Sequence, residues 1–394
     1  MGEILFLAHR IPFPPDRGDK IRAYHLLRHL ARDHRVHLVA FADDAADLEQ
    51  QDGLEPFTAS RTIVRRSPPT PWTGVRALLQ RRPVSLTAFD HPEVHRAVTA
   101  LLDRHPIDTI FLFSSQMAQY LPACPAQRVV MDFVDMDSAK FAAYAEQAHG
   151  PMRWVHRREA RLLLLHEQQV AEHADVSLFV SDAEAALFRA RAGARRVHAV
   201  ENGIDTAFYD PALRFDPVAG EGPLLVFTGQ MDYRPNIEAV TWFADAVLPR
   251  IRDVHPSARF VIVGRAPVSA VQALAERAGI VVTGAVPDVR DWLAAATLVV
   301  APLRLARGIQ NKVLEGMAMA LPVVASPAAA EGIDHAGTLC VADDAPAFAD
   351  SVCDLLATPA RARALGAAAR ARVVARYGWD ARLAPLDALL AASA

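Results

Sequence analysis

Short apolar segments alternate with helical segments along the whole chain, and this alternation limits the possible folds more than any other feature. In the first half, the segments of strand length are Ile4–Ala8, Val36–Phe41, Thr109–Phe113, Val129–Phe133, Val176–Val180 and Val197–Val200. Between them lie segments with helical periodicity, such as Ile21–Arg32 and Pro151–His173. Strands separated by helices pair in parallel, because each connection must cross back over the sheet. The sequence therefore predicts an α/β fold with parallel sheets covered by helices.

The alternation starts again after residue 205, which predicts a second domain. Asp205–Gly222 contains proline and glycine and is typical of a linker. A helix is predicted over Asn236–Val254, and the strand-length segments are Leu224–Gly229, Arg259–Gly264, Ile280–Gly284, Thr297–Pro302 and Pro322–Ala325. A chain of 394 residues is also longer than one hydrophobic core usually serves. We predict two Rossmann-like, doubly wound domains, 1–205 and 206–376, that face each other across a cleft.

Composition excludes several classes of protein. The net charge of −3 provides no general attraction to nucleic acid or to anionic membranes. The three cysteines, Cys124, Cys340 and Cys353, have no metal-binding spacing, and we expect no metal site. The chain begins without the basic and apolar regions of a signal peptide, and no run of about 18 apolar residues occurs. We therefore expect a cytoplasmic protein.

The segment Arg307–Glu315 is the strongest candidate for a binding site. A loop over Leu303–Gly308 leads into a predicted helix, Ile309–Ala320, before a buried strand. Unpaired amides at a helix N-terminus suit a diphosphate, and here they come from Gly308, Ile309, Gln310 and Asn311. Lys312 and Glu315 share a helix face, so the lysine can meet phosphate and the glutamate a ribose diol. The alternative is an ion pair between the two on a solvated face.

A second candidate follows the first predicted strand, where the loop ends Asp16-Arg17-Gly18-Asp19-Lys20. Gly18 permits an anion to approach the backbone just before a helix. The alternative is an ordinary helix start with Asp19 as the N-cap. The loop is not a G-x-G-x-x-G dinucleotide fingerprint, and the chain has no Walker A motif.

Three carboxylates, Asp132, Asp135 and Asp137, follow another predicted strand. Asp135-Met136-Asp137 has the D-x-D form of a metal motif, but the two-Rossmann layout argues against that function. Asp135 could orient an acceptor hydroxyl, and the alternative is turn or N-cap chemistry. Ser181 and Glu184 have the spacing of a capping box. Asn202-Gly203 is typical of a turn, for which Gly203 is expected to supply positive φ.

Pro151–His173 carries four arginines next to apolar residues. They are Arg153, Arg157, Arg158 and Arg161, with Trp154, Val155 and Leu162–Leu165 beside them. Such a helix could contact a lipid-linked acceptor at a membrane surface. The alternative is a core helix with a solvated basic face. Among the scattered histidines, His9 beside the first strand is the one that could take part in a site.

The segment from Arg307, Arg-Gly-Ile-Gln-Asn-Lys-Val-Leu-Glu-Gly-Met-Ala-Met-Ala-Leu-Pro-Val-Val, resembles the donor-site signature of glycosyltransferase family 4. The resemblance extends over nearly the whole chain and is closest to sugar transferases of the PEP-CTERM/exosortase system. Supporting segments are Leu7–Arg22, Phe179–Glu184, Asn202–Asp205 and Thr228–Asn236. It implies a GT-B fold in which the C-terminal helix, 377–394, packs back on the first domain.

The resemblance also implies particular functions for residues of this chain. Glu315 matches the family's ribose-side glutamate, whereas the sugar-side glutamate is replaced by Arg307. Gly229 is followed by Gln230 in place of the usual arginine, so Arg234 is the expected phosphate ligand. The loop at Gly18 and Asp19 would meet the donor diphosphate or the acceptor. Lys312 and Arg234 would stabilise the departing diphosphate, and Asp135 would act on the acceptor.

The implied reaction is sugar transfer from a UDP- or GDP-sugar to a glycan or lipid-linked acceptor in exopolysaccharide or cell-envelope biosynthesis. It would retain the anomeric configuration and need neither a metal nor a tightly bound cofactor. Two other functions stay open at this point. A UDP-sugar 2-epimerase also uses two Rossmann halves, and Arg307 favours a non-catalytic nucleotide-sugar-binding protein.

Overall fold

A computed structural model describes residues 2–15, 18–66, 71–306 and 309–391. The chain divides into two compact units. The first comprises Met1–Asn202 with Arg382–Ala394, and the second comprises Gly203–Ala381. No helix in the described ranges has the length and apolar character needed to cross a bilayer.

The first unit is built on a seven-stranded sheet in which every described strand pair is parallel. Its strands are β1 (Glu3–Ala8), β2 (Arg35–Ala42), β3 (Ser60–Arg65), β4 (Ile107–Phe113), β5 (Arg128–Val134), β6 (Val176–Phe179) and β7 (Val197–Ala199). Their order is β3-β2-β1-β4-β5-β6-β7. The sequence missed β3, because this edge strand is only half-buried and lacks a continuous apolar run.

Helices cover both faces of this sheet, as the right-handed crossovers of parallel strands require. They are α1 (Gly18–Leu30), α2 (Ala45–Glu49), α3 (Pro71–Leu79), α4 (Val84–Thr87), α5 (Pro92–Arg104), α6 (Asp137–Gln147), α7 (Gly150–His173) and α8 (Asp182–Ala192). Two short 3-10 helices, Gln51–Phe57 and Ser115–Tyr120, lie in the same unit.

The second unit has a six-stranded parallel sheet of order β10-β9-β8-β11-β12-β13. The strands are β8 (Leu224–Thr228), β9 (Arg259–Val263), β10 (Ile280–Gly284), β11 (Leu298–Ala301), β12 (Val323–Ala325) and β13 (Cys340–Val341). β13 was not predicted, since two residues leave no periodic pattern.

The predicted helix Asn236–Val254 is three consecutive pieces: α9 (Arg234–Trp242), a π-helical turn (Phe243–Val247) and α10 (Leu248–Val254). Pro249 explains the interruption, because proline has no amide for the regular bond to the preceding turn. The remaining α-helices are α11 (Ser269–Gln272), α12 (Val289–Ala294), α13 (Asn311–Ala318), α14 (Pro327–Ala330), α15 (Ala345–Ala357), α16 (Pro359–Arg376) and α17 (Trp379–Ala391), and a 3-10 helix, Ala273–Glu276, follows α11.

From Arg382 onward, α17 belongs to the first unit. The Arg382 guanidinium lies 2.6 Å from Glu201, and Arg128 donates a hydrogen bond of 2.7 Å to the carbonyl of Leu389. The Nε2 atom of His29 on α1 lies 2.6 Å from Asp387. Ion pairs and hydrogen bonds thus hold this helix against α1 and β5.

The segment predicted as a linker begins with structured residues that are held on the second unit. Arg370 donates hydrogen bonds to the carbonyls of Thr206 and Tyr209, and Ile204, just before the segment, donates one to the carbonyl of Tyr377. The prediction of a positive φ at Gly203 is wrong, because the backbone of this residue is not in the left-handed region. Gly203 is needed for a close approach instead, since a Cβ atom there would lie 2.6 Å from the Cα of Trp379.

Both sheets have a point where the strand order reverses, and ligands of such folds bind beyond the carboxyl ends of the strands there. In the first sheet this point lies between β1 and β4, and in the second between β8 and β11. The loops that follow these four strands are therefore the expected positions of a ligand-binding site.

Candidate functional site

The second unit has a cavity of about 570 Å³ beyond the carboxyl ends of β8 and β11. The residues that line it come from loops after several strands and from the start of α13. They are Tyr209, Thr228, Gly229, Tyr233, Asn236, Val263, Gly264, Arg265, Ala285, Val286, Val289, Ile309, Gln310, Asn311, Lys312 and Glu315. The strand-order reversal of the second sheet therefore carries a cavity into which several polar and charged side chains reach.

Lys312 supplies a positive charge to this cavity. Its Nζ atom donates a hydrogen bond of 2.6 Å to Oδ1 of Asn236 and lies 4.2 Å from the centre of the Phe227 ring. Burial lowers the pKa of Lys312 to about 8. A lysine in this setting gains a great deal from an anionic ligand, because the ligand replaces the solvation that burial removed.

Glu315 lies one turn further along α13 and lines the same cavity. Its carboxylate accepts hydrogen bonds from the hydroxyl of Tyr209 and, at 3.4 Å, from that of Thr228. Burial raises the pKa of Glu315. Lys312 and Glu315 thus face a cavity, and the alternative of an ion pair on a solvated helix face does not describe them.

The helix start contributes backbone donors to the cavity. α13 begins at Asn311 with Gln310 in the N-cap position, and both residues line the cavity together with Ile309. The first amides of a helix have no partner within the helix and favour an anion. Arg307 and Gly308, which the sequence also assigns to this site, lie outside the described residues.

Two glycines keep the cavity open where β8 and β9 end. A Cβ atom at Gly229 would lie 2.8 Å from Nδ2 of Asn236 and 3.1 Å from Nζ of Lys312. A Cβ atom at Gly264 would lie 1.6 Å from the carbonyl oxygen of Gly229. Glycine at both positions lets the two loops touch and leaves the space beside Lys312 free for a ligand.

The structure does not give Arg234 the expected position. Its guanidinium is paired at 2.7 Å with Glu238 on the outer side of α9, with 84% of the side chain exposed. Arg234 and Glu238 are four residues apart, which is the usual spacing of an ion pair on a helix surface. Arg234 is not among the described residues that line the cavity. Arg265, which follows β9 and donates a hydrogen bond to Gln230, lines it instead.

The lining residues that were not identified from the sequence include Tyr209, Asn236 and Arg265. Tyr209 was assigned to the linker, Asn236 was one of many polar helix residues, and Arg265 was overlooked. The position of Arg265 gave a usable signal, because it directly follows the predicted strand Arg259–Gly264. The partners of Tyr209 and Asn236 are 106 and 76 positions away in sequence, and no local pattern relates them.

In the first unit, Asp19 lies at the strand-order reversal but belongs to a local ion-pair network. It accepts a hydrogen bond from Arg10 and lies 3.3 Å from Nε2 of His9. The His9 ring stacks on Phe113 at the end of β4, 5.6 Å away. Asp19 is in the first turn of α1 rather than the N-cap. Gly18 has open space around it, since a Cβ atom there would meet nothing within 4 Å.

The three carboxylates after β5 have separate environments. Asp132 is fully buried against Arg22, with a guanidinium nitrogen 2.9 Å away, and burial raises its pKa. Asp137 accepts hydrogen bonds from Ser115 and Gln116. Asp135 is exposed, so it is the one of the three that is open to a substrate.

The predicted capping box at Ser181 forms only in part. The Ser181 hydroxyl accepts a hydrogen bond from the amide of Glu184. The Glu184 carboxylate accepts one from the amide of Met136, in the loop after β5, at 2.9 Å. Glu184 therefore fixes the loop that carries Asp135.

Comparisons with known proteins agree with this architecture. Residues 18–208 match the family described as glycosyltransferase family 4, and residues 222–358 match the one described as glycosyl transferases group 1. The two matches together include both units and most of the chain. No curated protein matches the chain in sequence.

Solved structures share the fold along the full length. Sucrose-phosphate synthase from Thermosynechococcus elongatus has a TM-score of 0.62 at 19% identity, over 99% of this chain and 98% of that one. Anabaena Alr3699/HepE in complex with UDP has a TM-score of 0.60 at 16% identity, over 98% and 99%. WaaG, a glycosyltransferase involved in lipopolysaccharide biosynthesis, has a TM-score of 0.58 at 15% identity, over 99% and 100%.

Two parallel Rossmann-like sheets, with this strand order and these matches, define a GT-B protein. The chain is a glycosyltransferase, with a family 4 domain followed by a group 1 domain.

Proposed function

We propose that this glycosyltransferase takes a sugar from a UDP- or GDP-sugar bound in the cavity of the second unit. The observation that carries the proposal is the pairing of Lys312 with Asn236 and of Glu315 with Tyr209 in one cavity. A buried ammonium and helix amides suit a diphosphate, and a carboxylate one turn further suits the two hydroxyls of a ribose. Because Glu315 lies one turn after Lys312 on α13, the diphosphate would lie near the start of the helix and the ribose one turn further along.

Catalysis in this proposal is mainly positioning and electrostatic stabilisation of the leaving diphosphate. Lys312 and the first amides of α13 bind the charge that develops as the glycosidic bond breaks. The leaving phosphate helps to remove the proton of the acceptor hydroxyl, on the same face of the sugar, and configuration is retained. Asp135 is the proposed residue that orients this hydroxyl. No metal and no tightly bound cofactor is needed.

The nature of the donor has support from one structural neighbour. Anabaena Alr3699/HepE has been solved in complex with UDP and with UDP-glucose, the latter at a TM-score of 0.58 and 14% identity. Arg307 replaces the sugar-side glutamate of the family pattern, and it is the proposed reason for a sugar preference different from that of members with glutamate.

The proposed acceptor is a glycan or lipid-linked precursor of exopolysaccharide or cell-envelope synthesis, as the likeness to PEP-CTERM/exosortase-associated transferases suggests. The start of α7 supports peripheral contact with a membrane. Arg153, Arg157 and Arg161 are exposed at intervals of four residues, beside Trp154, which is 59% exposed. Arg158 differs, because it donates hydrogen bonds to the carbonyls of Ala77 on α3 and of Arg82 after it. Exposed cations and an aromatic ring on one helix suit an anionic lipid surface.

A panel of UDP- and GDP-sugars tests the proposal directly. The purified protein is incubated with each donor, with and without a lipid-linked glycan acceptor, and slow hydrolysis and transfer are followed by nucleotide release. We expect nucleotide release from one donor class and a product with the anomeric configuration of the donor. Formation of the 2-epimer would support the epimerase instead. Binding of a nucleotide sugar with no release under any condition would contradict the proposal and favour a binding protein.

A further inference from the structure

Three potential metal ligands meet at the amino-terminal ends of the strands of the first sheet. They are Glu3, His37 and His105. The loops that carry His9 and Asp135 lie at the opposite, carboxyl ends. Glu3 opens β1, His37 lies near the start of β2, and His105 ends α5 just before β4. β1 lies between β2 and β4 in the sheet, so the topology brings the three side chains together.

The carboxylate of Glu3 lies between the two imidazoles. Its Oε2 atom is 2.9 Å from Nε2 of His37 and 3.5 Å from Nδ1 of His105. The two histidine rings lie with their centres 4.1 Å apart. In a tetrahedral site with bonds near 2.0 Å, ligand atoms are separated by roughly 3.3 Å. Both distances to Glu3 are within a few tenths of an ångström of this value, and the three ligand atoms all lie within 4.8 Å of one another.

The surrounding residues hold these ligand atoms in place. Nδ1 of His37 lies 2.7 Å from the hydroxyl of Ser60 on β3, which leaves Nε2 directed at Glu3. Metal-bound histidines usually have such a partner on the other ring nitrogen, because it fixes the tautomer and the ring orientation. The other oxygen of Glu3 faces Arg35 at 3.7 Å, so Oε2 is the atom that is left for an ion.

Burial and access also suit a bound ion. His37 is 1% exposed and Glu3 13% exposed, whereas the His105 side chain is 32% exposed and gives solvent a way in. Two imidazoles and one carboxylate form a ligand set that zinc binds with a fourth position left for water. The backbone of His105 is held at both ends, since its amide bonds to Leu101 and its carbonyl accepts from Ile107.

We propose that Glu3, His37 and His105 form a zinc site that joins β1, β2 and the turn between α5 and β4. The site is separate from the proposed nucleotide cavity. Its ion holds the amino-terminal ends of these strands together and does not take part in sugar transfer. A protonated histidine paired with Glu3 would make the same contacts without an ion.

The test uses the full chain without a histidine tag, after treatment with a chelator, and titrates it with zinc chloride by calorimetry. We expect one equivalent to bind with a dissociation constant of about 1 µM or lower. The bound ion should raise the midpoint of thermal unfolding. Cobalt should give the visible absorption of a tetrahedral complex when it replaces zinc.

Variants decide whether these residues hold the ion. Glu3→Gln and His105→Asn should lower zinc affinity by at least about 100-fold, and Ser60→Ala by about 10–100-fold. His198→Asn, which changes an exposed histidine of the same unit, is the matched control and should bind like the unaltered chain. Circular dichroism confirms that each variant is folded. The proposal is overturned if no single equivalent binds, or if Glu3→Gln and His105→Asn bind zinc as tightly as the control.

Discussion

The ammonium nitrogen of Lys312 lies 2.6 Å from the side-chain oxygen of Asn236, and the amide nitrogen of Asn236 donates in turn to the carbonyl of Gln230. Asn236 is therefore fixed in one orientation, and it fixes Lys312. The positive charge is directed at the cavity before any ligand arrives. Charges that are positioned in advance stabilise a leaving group without a cost of reorganisation during the reaction.

Replacement of Lys312 should affect catalysis far more than folding. Lys312→Ala removes a charge from the proposed diphosphate position, and we expect kcat/KM for the donor to fall by about 10²–10³-fold. The thermal midpoint should change little, because a partly desolvated charge is removed along with its hydrogen bond. Arg250→Ala, an exposed cation of the same unit, serves as the control. Turnover near that of the control would contradict the assignment of Lys312 to the diphosphate.

The lowered pKa of Lys312 predicts how nucleotide binding depends on pH. Burial lowers this pKa to about 8, so the ammonium loses its proton as the pH rises through about 8. We expect the dissociation constant of the preferred nucleoside diphosphate to increase between about pH 7 and 9.5, as measured by calorimetry. Lys312→Arg keeps its charge over this range and should bind with little pH dependence, even if more weakly. The same pH dependence in both proteins would show that another group titrates.

Glu315 should determine the preference for ribose. Its carboxylate lines the cavity and accepts a hydrogen bond from Tyr209, so it is oriented before a nucleotide binds. Hydrogen bonds to a charged group contribute about 1.5–3 kcal/mol, and the unaltered protein should prefer UDP or GDP over the 2′-deoxy nucleotide by about 10-fold or more. Glu315→Gln should lose most of this preference, and Tyr209→Phe part of it. An unchanged preference in Glu315→Gln would exclude contact with the ribose.

The sequence predicts the strands of both sheets well wherever they are buried on both faces. β1, β2, β4 and β5 were predicted to within two residues at each end, because central parallel strands are continuous apolar runs. The edge strand β3 was not predicted, since its residues are half-buried and of mixed polarity. Pro249 gave a signal for the interrupted helix, but a periodic pattern on both sides concealed it.

The candidate site was predictable only as far as local patterns extend. Lys312 and Glu315 share one short helix, so their spacing reveals a common face. Arg234 and Arg265 are a different matter, because only the three-dimensional path of the chain decides which arginine reaches the cavity. The cluster of Glu3, His37 and His105 shows the same limit, since two members lie on strands and the third in the turn after α5, far apart in sequence.

Glu167 on α7 should make stability depend on pH. It is fully buried, it accepts hydrogen bonds from the amide and hydroxyl of Ser138, and burial raises its pKa from 4.5 to about 7. The folded state then holds the proton more tightly than the unfolded state, so stability falls as the pH rises from about 4.5 through 7. Over this window the change is on the order of 3 kcal/mol.

Glu167→Gln should remove this dependence. Compared with the unaltered protein, it should gain in free energy of unfolding between about pH 5 and 8, as measured by urea denaturation. Glu172→Gln, an exposed position on the same helix, is the control and should follow the unaltered protein. A constant difference between Glu167→Gln and the control at all pH values would contradict a raised pKa at Glu167.

Arg265 and Arg234 provide the sharpest comparison between structure and sequence. Arg265 lines the cavity beside Gly229, whereas Arg234 is paired with Glu238 on the outer side of α9. A cation that reaches the diphosphate contributes through a charge-assisted bond, so Arg265→Ala should weaken nucleotide binding by about 10-fold. Arg234→Ala loses only an exposed i,i+4 pair and should bind almost normally. The reverse result would mean that Arg234 leaves Glu238 when the nucleotide binds, and it would restore Arg234 as the phosphate ligand that the sequence predicts.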